Sequence, residues 1–85
     1  MSGTATILRI VDENGRPAGG ASLAVARSSV PFPEIALIAD DDGRIELRLP
    51  DGDFTFEARD AAGRSGTVTV AGARGGEVVV RLARP

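Results

Sequence analysis

The sequence contains no cysteine, histidine, lysine, tyrosine or tryptophan. Without cysteine and histidine it has no thiol nucleophile, no imidazole base and no zinc site of the usual ligand set. Because most hydrolase mechanisms need one of these groups, we expect a non-catalytic protein without a cofactor. The lack of cysteine leaves the redox compartment open, since a domain without disulfides suits either side of a membrane.

The chain also has little net charge and no long apolar run. Twelve acidic residues oppose ten arginines, for a net charge of −2. Nucleic acid is therefore not an expected partner, because phosphate binding needs a basic face. No segment approaches membrane-spanning length, and the N-terminal residues lack the basic and apolar regions of a signal peptide. We expect no membrane association and, from the chain as written, a cytoplasmic location.

The most regular stretch runs from Ala39 to Ala58 and contains two hairpin turns, at Asp42-Gly43 and at Leu49–Gly52. Between these turns apolar and charged residues alternate with a period of two, which is typical of a strand with one buried face. With 85 residues and 42% hydrophobic composition, the chain is long enough for one domain, residues 1–85, with a modest core.

The same alternation and the turn residues predict seven short strands and no helix. The predicted strands are Thr4–Val11, Ala21–Ala26, Glu34–Ala39, Arg44–Leu49, Phe54–Arg59, Ser65–Val70 and Glu77–Leu82. Seven strands with turns about every ten residues favour an all-β fold, a Greek-key β-sandwich of two sheets. Inward residues would include Thr6, Leu8, Ile10, Ala21, Leu23, Val25, Ile45, Leu47, Leu49, Phe54, Phe56, Ala58, Val68, Val70, Val78, Val80 and Leu82.

Two strings of residues resemble a known family. They are Ile10-x-Asp12-x-Asn14-Gly15-x-Pro17-x-x-Gly20-Ala21-x-Leu23-x-Val25 and Asp40-x-x-Gly43-Arg44-Ile45-x-Leu47-x-Leu49-Pro50-x-Gly52-x-Phe54-x-Phe56. In order and spacing they are similar to the carboxypeptidase regulatory-like domains of the transthyretin-like (prealbumin-like) superfamily, over about residues 6 to 70. The resemblance implies a seven-stranded Greek-key sandwich that serves as a non-catalytic accessory module beside peptidases, surface proteins or outer-membrane transport proteins.

If successive strands alternate in direction, one end of the sandwich gathers six acidic residues from three connections. They are Asp12, Glu13, Asp40, Asp41, Asp42 and Asp60. Calcium takes six to eight oxygen ligands, so Asp40, Asp41 and Asp42 are a weak candidate metal site. The simpler interpretation is that aspartate is favoured in tight turns, with arginines nearby as counter-charges.

The opposite end would carry the loop Val30-Pro31-Phe32-Pro33, our candidate for binding a partner protein. Prolines on both sides of Phe32 stiffen the loop, so an exposed ring would bind while losing little conformational entropy. Phe32 could instead cover the open end of the core as a lid. The binding interpretation predicts that Phe32→Ala weakens association with little loss of stability, and the lid interpretation predicts the reverse.

Apolar residues on predicted outer faces suggest a further contact surface. They are Ile7, Val11, Ala36, Ile38 and Val79, and the predicted strand Glu34–Ala39 is apolar on both faces, as in a central strand or a contact surface. Such residues and open sheet edges favour self-association. The sequence thus predicts a module that binds another protein or its own copy, with calcium or carbohydrate binding as the alternative.

Overall fold

The computed structural model describes residues 4–33 and 36–84, and all the regular structure in those residues is β. The seven strands are β1 (Thr4–Val11), β2 (Ser22–Ser28), β3 (Ala36–Ile38), β4 (Arg44–Leu49), β5 (Asp53–Arg59), β6 (Ser65–Ala71) and β7 (Gly76–Arg81). Within these described ranges there is no helix long and apolar enough to cross a membrane.

The strands form two sheets, as in a β-sandwich. The first sheet has the order β4-β1-β7 and the second the order β3-β2-β5-β6. All pairs are antiparallel except β1 with β7. Because successive strands reverse direction, the connections β1–β2, β3–β4 and β5–β6 share one end of the molecule. We call this the Asp-turn end, and the end with the other three connections the Pro-loop end.

The core lies between the two sheets and is built from alternate residues of each strand. Its largest fully buried side chains include Leu8 and Ile10 of β1 and Phe54 and Phe56 of β5. The rings of Phe54 and Phe56 stack with their centroids 6.1 Å apart. At about 25 cal/mol per Å² of buried apolar surface, side chains of this size supply most of the favourable free energy of folding.

The strand boundaries follow the sequence prediction most closely where apolar and polar residues alternate strictly. β4 has the predicted bounds, with Ile45, Leu47 and Leu49 buried. β2 continues to Ser28, beyond its predicted end, because a bulge between Val25 and Arg27 keeps its last residues paired with β5. β3 spans three residues and is an edge strand, not a central one. Of its predicted range, Glu34 and Ile35 lie outside the described residues.

The prediction that Val11 faces solvent was wrong. Val11 is 6% exposed because the end of β1 is flanked on both sides: Val11 bridges Pro17 of the β1–β2 connection, and its carbonyl accepts the amide of Leu82. The alternation of a strand predicts which way a side chain points but not whether a neighbouring loop covers it.

Candidate functional site

The Asp-turn end is built from three turns with the same sequence pattern, Asp-x-x-Gly-Arg. The pattern begins at Asp12, Asp40 and Asp60. In each turn the aspartate Oδ1 accepts hydrogen bonds from the amides two and four residues later, at 2.8 and 3.0 Å for Asp12, 2.9 and 2.9 Å for Asp40, and 3.0 and 2.9 Å for Asp60. The side chain thereby replaces backbone partners that the tight turn cannot supply.

The backbone of the three turns is also the same. The amide of the glycine donates to the carbonyl of the aspartate, and the amide of the aspartate donates to the carbonyl of the arginine. Gly15, Gly43 and Gly63 have φ of 83°, 74° and 85°, a left-handed conformation that side chains with a Cβ rarely adopt. The shared pattern is therefore explained by turn geometry.

The three turns differ in how they meet the rest of the molecule. Gly43 is buried, and its carbonyl accepts the amide of Ile10 at 2.7 Å. A Cβ on Gly43 would collide with the carbonyl oxygen of Ile10, whereas Gly15 and Gly63 have open space around them. The Asp40 turn thus anchors β4 against β1, while the other two project toward solvent.

The carboxylates that open the three turns already accept hydrogen bonds from amides of their own turns. The amide of Arg16 lowers the pKa of Asp12; partial desolvation opposes it, and the Asn14 amide and the charges of Arg64 and Arg16 assist it. Desolvation acts to raise the pKa of Asp60, but the amide and guanidinium of Arg64 outweigh it and the pKa is lowered. The Nε of Arg64 lies 2.6 Å from Oδ2 of Asp60. The donors of the turns thus favour the ionised form of Asp12 and Asp60.

The predicted acidic residues do meet at one end, but they do not converge on a point. Among residues 4–33 and 36–84, no three acidic side chains lie close enough together to hold a metal ion. Asp41 and Asp42, the other two residues of the weak candidate metal site, are exposed. The arrangement suits three separate turns and offers no shared coordination sphere for a hard cation.

At the Pro-loop end, the candidate binding residues divide into two pairs. Val30 and Phe32 are half-buried and pack against the core, and the Phe32 ring meets Phe54 edge-on with centroids 5.1 Å apart. Pro31 and Pro33 are exposed. The contact between the two rings favours the lid interpretation for the Phe32 side chain, while the exposed surface of the loop belongs to the prolines. The assignment of this loop to partner binding stays a prediction.

Hydrogen bonds fix the Pro-loop end to the adjacent β4–β5 turn. The amide of Ser29 donates to the Asp53 carbonyl at 2.9 Å, and the amide of Asp53 donates to Ser29 Oγ at 2.8 Å. Ser28 Oγ donates to the carbonyl of Val30 at 2.7 Å. The start of the loop, just before the prolines, is therefore held through its backbone and through two serine side chains, which limits the entropy that this part of the loop loses on binding.

The outer faces of the two sheets have different characters. Within the described ranges, Ile38 and Val79 are the most exposed large apolar side chains, at 65% and 54%, and they lie on different sheets. Ile7 is half-buried between Glu46 and Glu77 of the neighbouring strands. Around Val79 the face carries charge, including Arg9, whose Nε lies 3.9 Å from the Glu77 carboxylate.

Ile38 stands in a different setting, beside small side chains. Across the sheet it is paired with Ser22, and the next pair on the same face toward the Pro-loop end is Ala24 with Ala36. We call the exposed apolar side chains of Ala24, Ala36 and Ile38 the β3 patch. Beyond it on the same face lie Glu57 and Arg59, which form an ion pair at 3.4 Å. A small apolar patch with a charged border has the anatomy of a protein contact.

Two features of these sites were not predicted from the sequence. The first is the shared structure of the three Asp-x-x-Gly-Arg turns, which the sequence does signal, since Asp and Gly stand three residues apart in all three cases. The β3 patch had only a partial signal, because Ala24 looks unremarkable in the sequence until β2 and β3 are known to pair.

Aromatic residues offer no sugar-stacking platform, since Phe54 and Phe56 are buried and Phe32 is half-buried.

Comparison with protein-family models gave no match for this sequence, and comparison with curated proteins gave none either.

Proposed function

We propose that this chain is a non-catalytic β-sandwich module of the carboxypeptidase regulatory-like type, and that it binds another protein through the β3 patch. The observation that carries the proposal is the 65% exposure of Ile38 on an edge strand that, among the described residues, pairs with β2 alone. Burial of such a side chain in an interface is worth about 2 kcal/mol, which is enough for a hot spot.

The strand arrangement and the turn motifs support the family part of the proposal. Most motif residues between Ile10 and Phe56 lie in turns or at strand positions that face the core, and the two sheets have three and four strands. Under this proposal the connections between the sheets follow a Greek key. The proposed role is that of an accessory module, which supplies binding and not chemistry.

The Pro-loop end extends the proposed contact surface. Pro31 and Pro33 are exposed at the Pro-loop end, the end toward which the β3 patch extends from Ile38 to Ala36. Val30 and Phe32 support these prolines from below through their contacts with the core.

The test uses the matched pair of exposed apolar residues. Wild-type protein, Ile38→Glu and Val79→Glu are immobilised in equal amounts, incubated with native host lysate, and the captured proteins are identified by mass spectrometry. We expect a protein that the wild type and the Val79 variant capture and the Ile38 variant loses, because a buried unpaired charge is costly in an interface. Equal capture by all three would overturn the proposal. Melting temperatures close to wild type show that the variants are folded.

A further inference from the structure

The four sheet edges differ in how they are protected from pairing with another chain. β3 has three residues within the described ranges. The edges of β6 and β7 approach each other: the amides of Ser65 and Ala83 each donate to the other's carbonyl at 3.0 and 2.8 Å, and a Cβ on Gly66 would collide with the carbonyl of Arg81. Short edges and covered edges are devices that prevent unwanted strand pairing.

β4 lacks these devices. It has six residues in unbroken antiparallel register with β1, without an internal proline, a bulge or an inward-facing charge. Among the described residues, β1 is the strand with which it pairs. Residues 45–49 make no backbone hydrogen bond to a described residue outside that pairing. The other edge of β4 therefore presents donors and acceptors that a further strand can use.

The exposed charges of β4 also lack partners within the chain. Glu46 lies opposite Ile7 on β1, and Arg48 lies opposite Ala5. Neither forms an ion pair with another described residue. Arg44 lies opposite Arg9, a like charge. The outer face of β4 thus carries the alternating charges of Arg44, Glu46 and Arg48 at a free edge.

These charges select one antiparallel register for two copies of β4. With Leu47 opposite Leu47 of the second copy, Glu46 faces Arg48 twice, and Ile45 faces Leu49 twice on the inner side. With Glu46 at the centre, Glu46 would face itself and Arg44 would face Arg48, so like charges would meet. With Ile45 at the centre, the pairing would run into the Asp40 turn and use only three residues of β4. Opposite charges across a strand pair stabilise it and like charges destabilise it.

We propose that two copies of this chain associate through antiparallel pairing of β4, centred on Leu47, to form a six-stranded sheet across a two-fold axis. The contact is isologous, since each copy contributes the same Glu46 and Arg48. It lies on the other sheet from the β3 patch and stands on a separate observation. An interface of a single strand pair is small, so the dimer is weak.

The test is sedimentation equilibrium of purified protein over a concentration series up to about 1 mM at low salt, where surface charges are least screened. We expect a monomer–dimer equilibrium for the wild type. Glu46→Arg and Arg48→Glu each replace two attractive contacts by two repulsive ones and should weaken dimerisation by about tenfold or more. The double variant Glu46→Arg/Arg48→Glu restores both contacts and should associate as the wild type does.

Two further samples fix the register. An equal mixture of the two single variants should form a heterodimer, because each charge then faces its opposite in the other chain. Arg44→Glu should leave dimerisation unchanged, since Arg44 falls opposite Pro50 of the second copy. Wild-type protein that stays monomeric throughout, single variants that dimerise normally, or a double variant no better than the singles would each overturn the proposal. Sensitivity to Arg44→Glu with no response to Arg48→Glu would overturn the register and with it the proposal.

Discussion

Thr6 is a buried polar residue whose hydroxyl has no hydrogen-bond partner within the described part of the chain. It is 1% exposed and faces the core from β1, and its Oγ1 makes no hydrogen bond with any described residue. Burying a hydroxyl without a hydrogen bond costs free energy that a methyl group of the same shape does not. Thr6→Val should therefore raise the free energy of unfolding by about 1 kcal/mol, measured by urea denaturation. Thr67→Val, at an exposed position on β6, is the control and should change stability by less than about 0.5 kcal/mol. A loss of stability in the Thr6 variant would show that the hydroxyl has a partner.

Phe32 contributes to the core from a loop. Its ring packs edge-on against Phe54, and such aromatic pairs are worth about 0.5 to 1.5 kcal/mol beyond their buried area. Phe32→Ala should lower the free energy of unfolding by about 2 kcal/mol, since the ring is half-buried. Pro31→Ala, at the exposed neighbouring position, is the comparison and should have a smaller effect. An unchanged melting temperature for Phe32→Ala, with weakened association, would instead favour the ring as a binding element.

At the scale of elements, the Asp40 turn and the Asp60 turn have the same local structure but different surroundings. Alanine at either glycine costs about 1 to 2 kcal/mol, because the left-handed conformation disfavours a Cβ. At Gly43 the Cβ also meets the Ile10 carbonyl oxygen and lies 3.0 Å from the amide nitrogen of Ala18, which adds about 1 to 3 kcal/mol of overpacking. Gly43→Ala should thus lose most of the stability of a domain this small, while Gly63→Ala stays folded. Thermal unfolding followed by circular dichroism compares them, and equal losses would contradict the anchoring role of Gly43.

The bounds and positions of the elements could be predicted from the sequence only where the element carries a periodic signal. β4 was predicted to the residue because Ile45, Leu47 and Leu49 alternate strictly with charged residues. The end of β3 and its place at a sheet edge were not predicted, since its apolar segment has no alternation to mark them. The packing of the Phe32 ring depends on its contact with Phe54. The fold brings the two residues together, but nothing in the sequence indicates that they meet. Periodicity reports local geometry, whereas edge position and loop packing depend on tertiary structure.

At the scale of the whole molecule, the Asp12 and Asp60 turns place two carboxylates with lowered pKa values at one end of the sandwich and make stability depend on pH. The pKa values of Asp12 and Asp60 are lowered from 3.8 in the folded protein. A group whose pKa is lower when folded contributes stability that is fully present above its unfolded pKa and is lost as pH falls through the folded pKa. The melting temperature should therefore hold steady from about pH 6 to pH 5 and fall below about pH 4.

The contribution of Asp60 to this fall can be isolated with a substitution that keeps its turn. Asp60→Asn retains an oxygen that can accept the amides of Ala62 and Arg64 but removes the charge that pairs with the Arg64 guanidinium. Its melting temperature should be lower than wild type at pH 6, and the difference should shrink as pH falls toward 2, because the wild-type carboxylate becomes protonated. Asp41→Asn is the matched control, since the Asp41 side chain makes no hydrogen bond with a described residue. If the melting temperature of Asp60→Asn ran parallel to that of the wild type over the whole pH range, the acid sensitivity would reside in other carboxylates.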